Sequence, residues 1–230
     1  MPSSHSVIVP CVEAAVDLII PVLNEAGALP WLLARVPVGV RAIVVDNNST
    51  DGSGDVAAAH GAMVVLEPVP GFGSACWAGL QAATAPTVAF CDGDGSMDPA
   101  DLARVTQPVI DGLVDLMLGA RQPTPGAMTW HQVLANRALA FELRRRTKTP
   151  LTDLGPMRAA GREALLALDM RDRRSGWPLE MVLKAHRAGW RIGETGVTYA
   201  PRRAGTSKVT GTFKGTFTAI KDMSKLLADR

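Results

Sequence analysis

Apolar runs too short for helices and too continuous for a half-exposed sheet limit what this chain can fold into more than any other feature. Residues 16–22, 42–46, 62–66 and 87–91 are such runs, and each reads as a strand buried on both faces. Helical stretches stand between them, at 28–35, 54–60 and 74–83, with another at 100–111. This alternation predicts an α/β fold: a mostly parallel sheet with helices on both faces, joined by right-handed crossovers. Polar and glycine clusters sit just past the strands, as Asn24-Glu25, Asp46-Asn47-Asn48-Ser49 and Asp92-Gly93-Asp94-Gly95. Open α/β sheets take their ligands at those carboxyl ends.

The alternation loosens in the second half. Residues 114–118 read as a fifth strand, 122–126 as a Pro/Gly loop, and 130–146 as a long helix with a basic end. Helices are expected at 161–168 and 179–188, and a returning strand at 191–199. Phe213, Phe217, Ile220 and Leu227 recur at helical spacing in a last amphipathic segment that also carries Lys214, Lys221 and Lys225. The expected organisation is an N-terminal extension over 1–15, one α/β domain over 16–211 and a C-terminal amphipathic helix over 212–230.

With 230 residues, 47% of them hydrophobic, the chain can bury one sizeable core. A formal charge of +2 and 5% aromatics give no electrostatic or stacking surface for nucleic acid, so none is expected as a partner. Cys11, Cys76 and Cys91 are too few and scattered for a disulfide framework and read as buried thiols. No run approaches the ~20 apolar residues that span a bilayer, and no basic start leads into an apolar leader. A cytoplasmic protein is expected. The terminal lysines leave room for a weak peripheral contact with the inner face of a membrane. Homodimerisation is left open.

Two carboxylates flank a glycine in Asp92-Gly93-Asp94, at the end of an apolar strand where unpaired charge is costly. A hard divalent cation, Mg²⁺ or Mn²⁺, would offset their repulsion and keep sites open for phosphate. An Asp-capped turn leading into Asp98-Pro99 accounts for the same residues. Asp46 suits either a turn or the N–H donors of a nucleobase. Glu25 suits a helix N-terminus or a ligand contact. Gly71-Phe72-Gly73 suits close packing better than a phosphate cradle. In Arg202-Arg203-Ala204-Gly205-Thr206-Ser207-Lys208, cations, a glycine and hydroxyls fit a pyrophosphate or a solvated basic loop. The four histidines show no metal spacing.

Taken together and in order, these segments resemble family 2 glycosyltransferases with the GT-A nucleotide-sugar-binding fold, over about residues 16 to 210. Within that family the chain most resembles the polyprenyl-phosphate sugar synthases similar to dolichyl-phosphate mannosyltransferase. The segments are Ile20-Pro21-Val22-Leu23-Asn24-Glu25, the run from Val44 to Ser53, Gly71-Phe72-Gly73-Ser74-Ala75, and Asp92-Gly93-Asp94-Gly95-Ser96-Met97-Asp98-Pro99. Asp153-Leu154-Gly155-Pro156-Met157-Arg158 and the loop from Arg202 to Lys208 follow. The resemblance implies that Pro21, Leu23, Glu25 and Asp46 line a nucleoside pocket. It makes Asp92 and Asp94 the metal ligands at the donor diphosphate, with Gly93 between them. Arg202, Ser207 and Lys208 would close over phosphate, and Arg158 would hold phosphate near the reaction centre. Asn136, Arg137 and Asp153 would fall on the acceptor side, and Glu180 beside the donor sugar. Phe72 and the Gly155-Pro156-Met157 turn depart from the family pattern.

The function implied is metal-dependent, inverting transfer of a hexose-type sugar from a UDP- or GDP-linked donor to a polyprenyl phosphate. The alternative is a soluble small-molecule acceptor with the same donor chemistry. An alcohol acceptor needs a general base, for which Asp153 and Glu180 are the candidates. A sugar-1-phosphate nucleotidyltransferase would want a basic glycine-rich loop after the first strand, where this chain has Asn24-Glu25-Ala26-Gly27. A non-catalytic nucleotide-sugar-binding protein would have no need of Asp92, Asp94 and Lys208 together.

Overall fold

The structure, a computed structural model, describes residues 14–204. Its elements in chain order are β1 (Val16–Val22), α1 (Leu29–Leu33), β2 (Val40–Asp46), α2 (Ser53–Ala59), β3 (Met63–Leu66), α3 (Phe72–Ala82) and β4 (Thr87–Phe90). A single 3₁₀ turn (Pro99–Asp101) then leads into α4 (Leu102–Ile110) and β5 (Leu116–Pro123). The rest are α5 (Trp130–Thr147), β6 (Arg158–Gly161), α6 (Arg162–Ala167), α7 (Trp177–Arg187) and β7 (Ile192–Tyr199). The strands form one sheet in the order β3-β2-β1-β4-β6-β5-β7. Pairing is parallel except where β6 meets β4 and β5.

Side chains of β1 alternate across the sheet, as the period of two requires. Ile19 packs on one face with Leu80 of α3, Leu143 of α5, Leu165 of α6 and Trp177 of α7. Leu18 and Ile20 pack on the other with Leu29 and Leu32 of α1 and Leu102 and Val105 of α4. Both faces are therefore covered along β1 and β4, which is why those strands read as unbroken apolar runs; β3, expected to be buried on both faces, lies at the sheet edge and leaves Met63 and Leu66 exposed. Gly79 allows α3 to approach closely, since a Cβ there would lie 2.4 Å from Ile19 Cγ2.

The amino end of β1 is fastened by a buried charge. Asp17 accepts from Arg41 Nε and Nη2 at 2.8 and 2.7 Å and from the backbone N–H groups of Thr84 and Ala85. Burial pushes its carboxyl up, but Arg41 and the two N–H groups outweigh that and hold it below the usual range. Cys76 and Cys91 are buried free thiols whose pKa burial raises, so neither is a nucleophile.

Two differences from the sequence reading matter for the site. β6 is a strand that the reading missed, and β5 runs on to Pro123 through residues expected to be a loop. Arg158-Ala159-Ala160-Gly161 has neither alternation nor β-branched residues. It is a strand because β4 and β5 offer it hydrogen bonds on both sides. The end of β5 is carried by its parallel partner, in register up to Pro123 opposite Tyr199. Ser207, Lys208, the domain limit at 211 and the C-terminal helix over 212–230 lie outside the described residues, as does Cys11. Among the described residues no helix is long and apolar enough to cross a membrane.

Candidate active site

The carboxyl ends of β1, β2 and β4 lie side by side, with Val22 opposite Asp46 and Ile19 opposite Phe90. The loop after β1 is sewn to the loop after β2. Asn24 N–H donates to Ser49 Oγ at 2.9 Å, Glu25 N–H to Ser53 Oγ at 2.9 Å and Ala26 N–H to Asp51 Oδ2 at 3.0 Å. Asn24, at φ 57°, accepts in return from the Thr50 N–H. Asp51 and Ser53 are thus loop formers. Asp46 Oδ1 accepts from the Ser49 N–H at 2.8 Å. Its second oxygen crowds Gly54, where a Cβ would sit 2.9 Å away. Pro21 and Leu23 are half-buried on the same rim, and Gly93 packs against Val22 and the Pro21 carbonyl.

Asp92 and Asp94 follow β4 directly. Among the described residues no hydrogen bond or ion pair reaches the Asp92 carboxylate. Burial, then the charge of Asp94, raises its pKa to about 7, against the pull of Arg121, Arg158 and Arg202. Asp94 is better provided for: Oδ1 accepts from the Ser96 N–H at 2.9 Å and Oδ2 from Arg202 Nη1 at 2.7 Å. The other arm of Arg202 pairs with Glu25. One guanidinium therefore bridges the loops after β1 and β4, and its buried Nε finds no hydrogen-bond partner within the described residues.

The far side of Asp92 is built by β5 and β6. Arg121 donates through Nε and Nη2 to Asp153 at 2.7 and 2.6 Å, and its backbone N–H adds a third bond. Burial lowers the Arg121 pKa, but Asp153 more than reverses that. Arg158 is 2% exposed. Its guanidinium donates to the backbone carbonyls of Pro178 and Gly155, and burial lowers its pKa to about 10. It reaches the centre as an interior charge and not as an open ligand contact. Glu180 accepts from the N–H groups of Arg171 and Asp172 and pairs with Lys184 at 3.3 Å. Neither Asp153 nor Glu180 has a carboxylate oxygen free of partners. A base role for either requires the arginine or the loop to be released. Asn136 and Arg137 lie on α5.

Gly71-Phe72-Gly73 is a packing contact. A Cβ on Gly71 would lie 2.1 Å from the Arg173 carbonyl oxygen and one on Gly73 2.4 Å from that of Asp172. The N–H groups of Gly73 and Ser74 are taken by the carbonyls of Arg174 and Arg173. Arg121, directly after the apolar β5 run Leu116-Met117-Leu118-Gly119-Ala120, was missed by the sequence reading. Its place at the end of that run was its only signal.

The family description "Glycosyl transferase family 2" matches residues 17–167. The chain belongs to this family. A Mycobacterium tuberculosis protein known as an uncharacterised glycosyltransferase is 48% identical over 215 residues, 93% of this chain and 98% of its own. An undecaprenyl-phosphate mannosyltransferase of Micrococcus luteus is 31% identical over 216 residues, 86% and 88% of the two chains. Among solved structures, M. tuberculosis glucosyl-3-phosphoglycerate synthase with Mn²⁺, UDP and glucosyl-3-phosphoglycerate superposes with a TM-score of 0.72. It is 24% identical over 93% of this chain and 82% of its own, a likeness that shows the GT-A fold.

This glycosyltransferase is therefore not grouped with the polyprenyl-phosphate sugar synthases, and that part of the sequence reading is corrected. The solved structures that cover 93% of the chain are of an enzyme crystallised with phosphoglyceric acid, a soluble acceptor. The polyprenyl-phosphate enzyme stands well below the 48% relative in identity.

Proposed function

We propose that this glycosyltransferase moves a hexose-type sugar from a nucleoside-diphosphate sugar to a small, soluble, anionic acceptor. The observation that carries the reading is the unpartnered Asp92 beside the Asp94–Arg202–Glu25 bridge, at the carboxyl ends of β1 and β4. Asp92 and Asp94 would hold Mg²⁺ or Mn²⁺. Among the described residues no three His, Cys, Asp or Glu side chains gather as a metal cage. Two carboxylates are the usual protein share when phosphate oxygens complete the shell. The bound ion supplies a Lewis acid for the departing diphosphate. Arg202 leaves Asp94 for the phosphates, where its planar fork suits two oxygens at once. Asp46 and the 21–25 loop face the nucleoside. Arg121, fixed by Asp153, presents a cation to the acceptor side. M. tuberculosis glucosyl-3-phosphoglycerate synthase, solved with Mg²⁺ and UDP and with Mn²⁺, UDP and phosphoglyceric acid, supports a divalent metal, a nucleoside diphosphate and a small acid as ligands that this fold can take.

Thermal shift and product mass across UDP-, GDP- and dTDP-sugars, with and without Mn²⁺, test this reading. The acceptors are 3-phosphoglycerate, other small phosphorylated acids and undecaprenyl phosphate. One base should stabilise the protein only with Mn²⁺, and sugar should pass to a soluble acid. Metal-independent transfer, or transfer to undecaprenyl phosphate alone, overturns it. Asp46→Ala should raise the donor KM by about tenfold and leave kcat within about twofold, since the base is remote from bond breaking. A fall confined to kcat would remove Asp46 from the nucleoside pocket.

A further inference from the structure

We infer that Trp31 is a positioning residue for Arg202, acting through Arg203; the catalytic half of this inference rests on the function proposed above. After β7 the chain doubles back across the site. The Met97–Tyr199 bridge, the Ala200 N–H to the Ser96 carbonyl at 2.7 Å and the Arg203 N–H to the Asp94 carbonyl at 3.1 Å lay residues 200–204 over the carboxylate loop. Two glycines make room for this strap. A Cβ on Gly27 would meet the Ala204 Cβ at 3.0 Å, and one on Gly95, at φ 69°, would lie 2.9 Å from Arg203 Cδ.

Adjacent arginines on the strap then divide. Arg202 turns to Asp94 and Glu25, while the Arg203 guanidinium carbon lies 3.6 Å from the centroid of the Trp31 ring. Trp31 is held by α1, whose Leu29 and Leu32 are fully buried. Its ring is also approached by Arg35, at 5.1 Å, which Asp98 fixes with bonds of 2.9 and 2.6 Å. The clasp thus ties the strap to two elements of the core, so that Arg202 can exchange a carboxylate for a phosphate without its backbone leaving the site. Pre-ordering of this kind raises ligand affinity because less freedom is lost on binding.

The test has two arms. Without any nucleotide, limited trypsin digestion followed by mass spectrometry reads cleavage after Arg202. Loss of the cation–π contact in Trp31→Ala or Arg203→Gln should speed that cut about three- to thirty-fold, with Trp31→Phe close to wild type. Arg203 is exposed, so its replacement leaves the core intact. Unchanged cleavage at Arg202 in both variants overturns the clasp. In the second arm, Trp31→Ala should raise the donor KM by a similar factor with kcat within about twofold, and should have no further effect in an Arg202→Gln background. Additive effects would show that Trp31 acts by some other route. If the wild type binds no nucleotide, the proposed function falls, while the digestion arm still decides whether Trp31 holds the strap.

Discussion

Asp92→Asn is expected to lower turnover by on the order of a thousandfold while making the protein more stable above neutral pH. The loss follows from removing one of two oxygen ligands that would hold the metal at the diphosphate. The gain follows from linkage. Burial and Asp94 raise the Asp92 pKa from 3.8 to about 7, so the native state holds a proton that the unfolded chain has released between those values. Stability therefore falls as pH rises through that window, and the full cost of the buried charge is present above about pH 7. Asparagine keeps the shape without the charge. The melting temperature of the metal-free variant should exceed that of wild type at about pH 8, each kcal/mol showing as roughly 2–4 °C. The two proteins should converge below about pH 3, where Asp92 is protonated in both states. A lower melting temperature at pH 8, or turnover near that of wild type, would contradict this account of the site.

Arg202→Gln should cost on the order of a hundredfold or more in kcat/KM, the size of effect seen when a donor to developing negative charge is removed. It should also destabilise the free protein. Asp94 and Glu25, 7% and 8% exposed, share this one guanidinium, and its loss leaves both carboxylates without that cation. Arg202→Lys separates the two effects. A lysine restores charge and with it part of the stability, but a single ammonium cannot span Asp94 and Glu25 or grip two phosphate oxygens in a plane. Melting curves and steady-state kinetics on both variants check this. A lysine variant with wild-type kcat/KM would show that charge alone suffices and that the planar fork has no role.

Residues that share an element with their signal were legible, and residues that depend on distant partners were not. Asp46, Asp92 and Asp94 announce themselves because each follows an apolar run that must end where the sheet ends. Gly71 and Gly73 look the same whether they cradle phosphate or admit another backbone. Only the presence of residues 172–174 against them decides for packing. Asp153 and Glu180 read as candidate bases because a carboxylate in a sequence carries no trace of its partners. In the structure one is occupied by Arg121 and the other by the backbone of Arg171 and Asp172.

What the chain by itself determined is the parallel half of the sheet and the carboxylates at its edge, since hydrophobic period and strand termination are local properties. β6 needed two neighbours to supply its hydrogen bonds, as four residues without alternation have no preference of their own. The bridge of Arg202 to Asp94 and Glu25 joins positions 108 and 177 residues apart. It exists because β7 pairs in parallel with β5 at the far edge and returns the chain over the Asp92–Asp94 loop. No pattern along the sequence encodes that return. It comes from burying both faces of the sheet at once, which leaves the end of β7 beside the carboxylates.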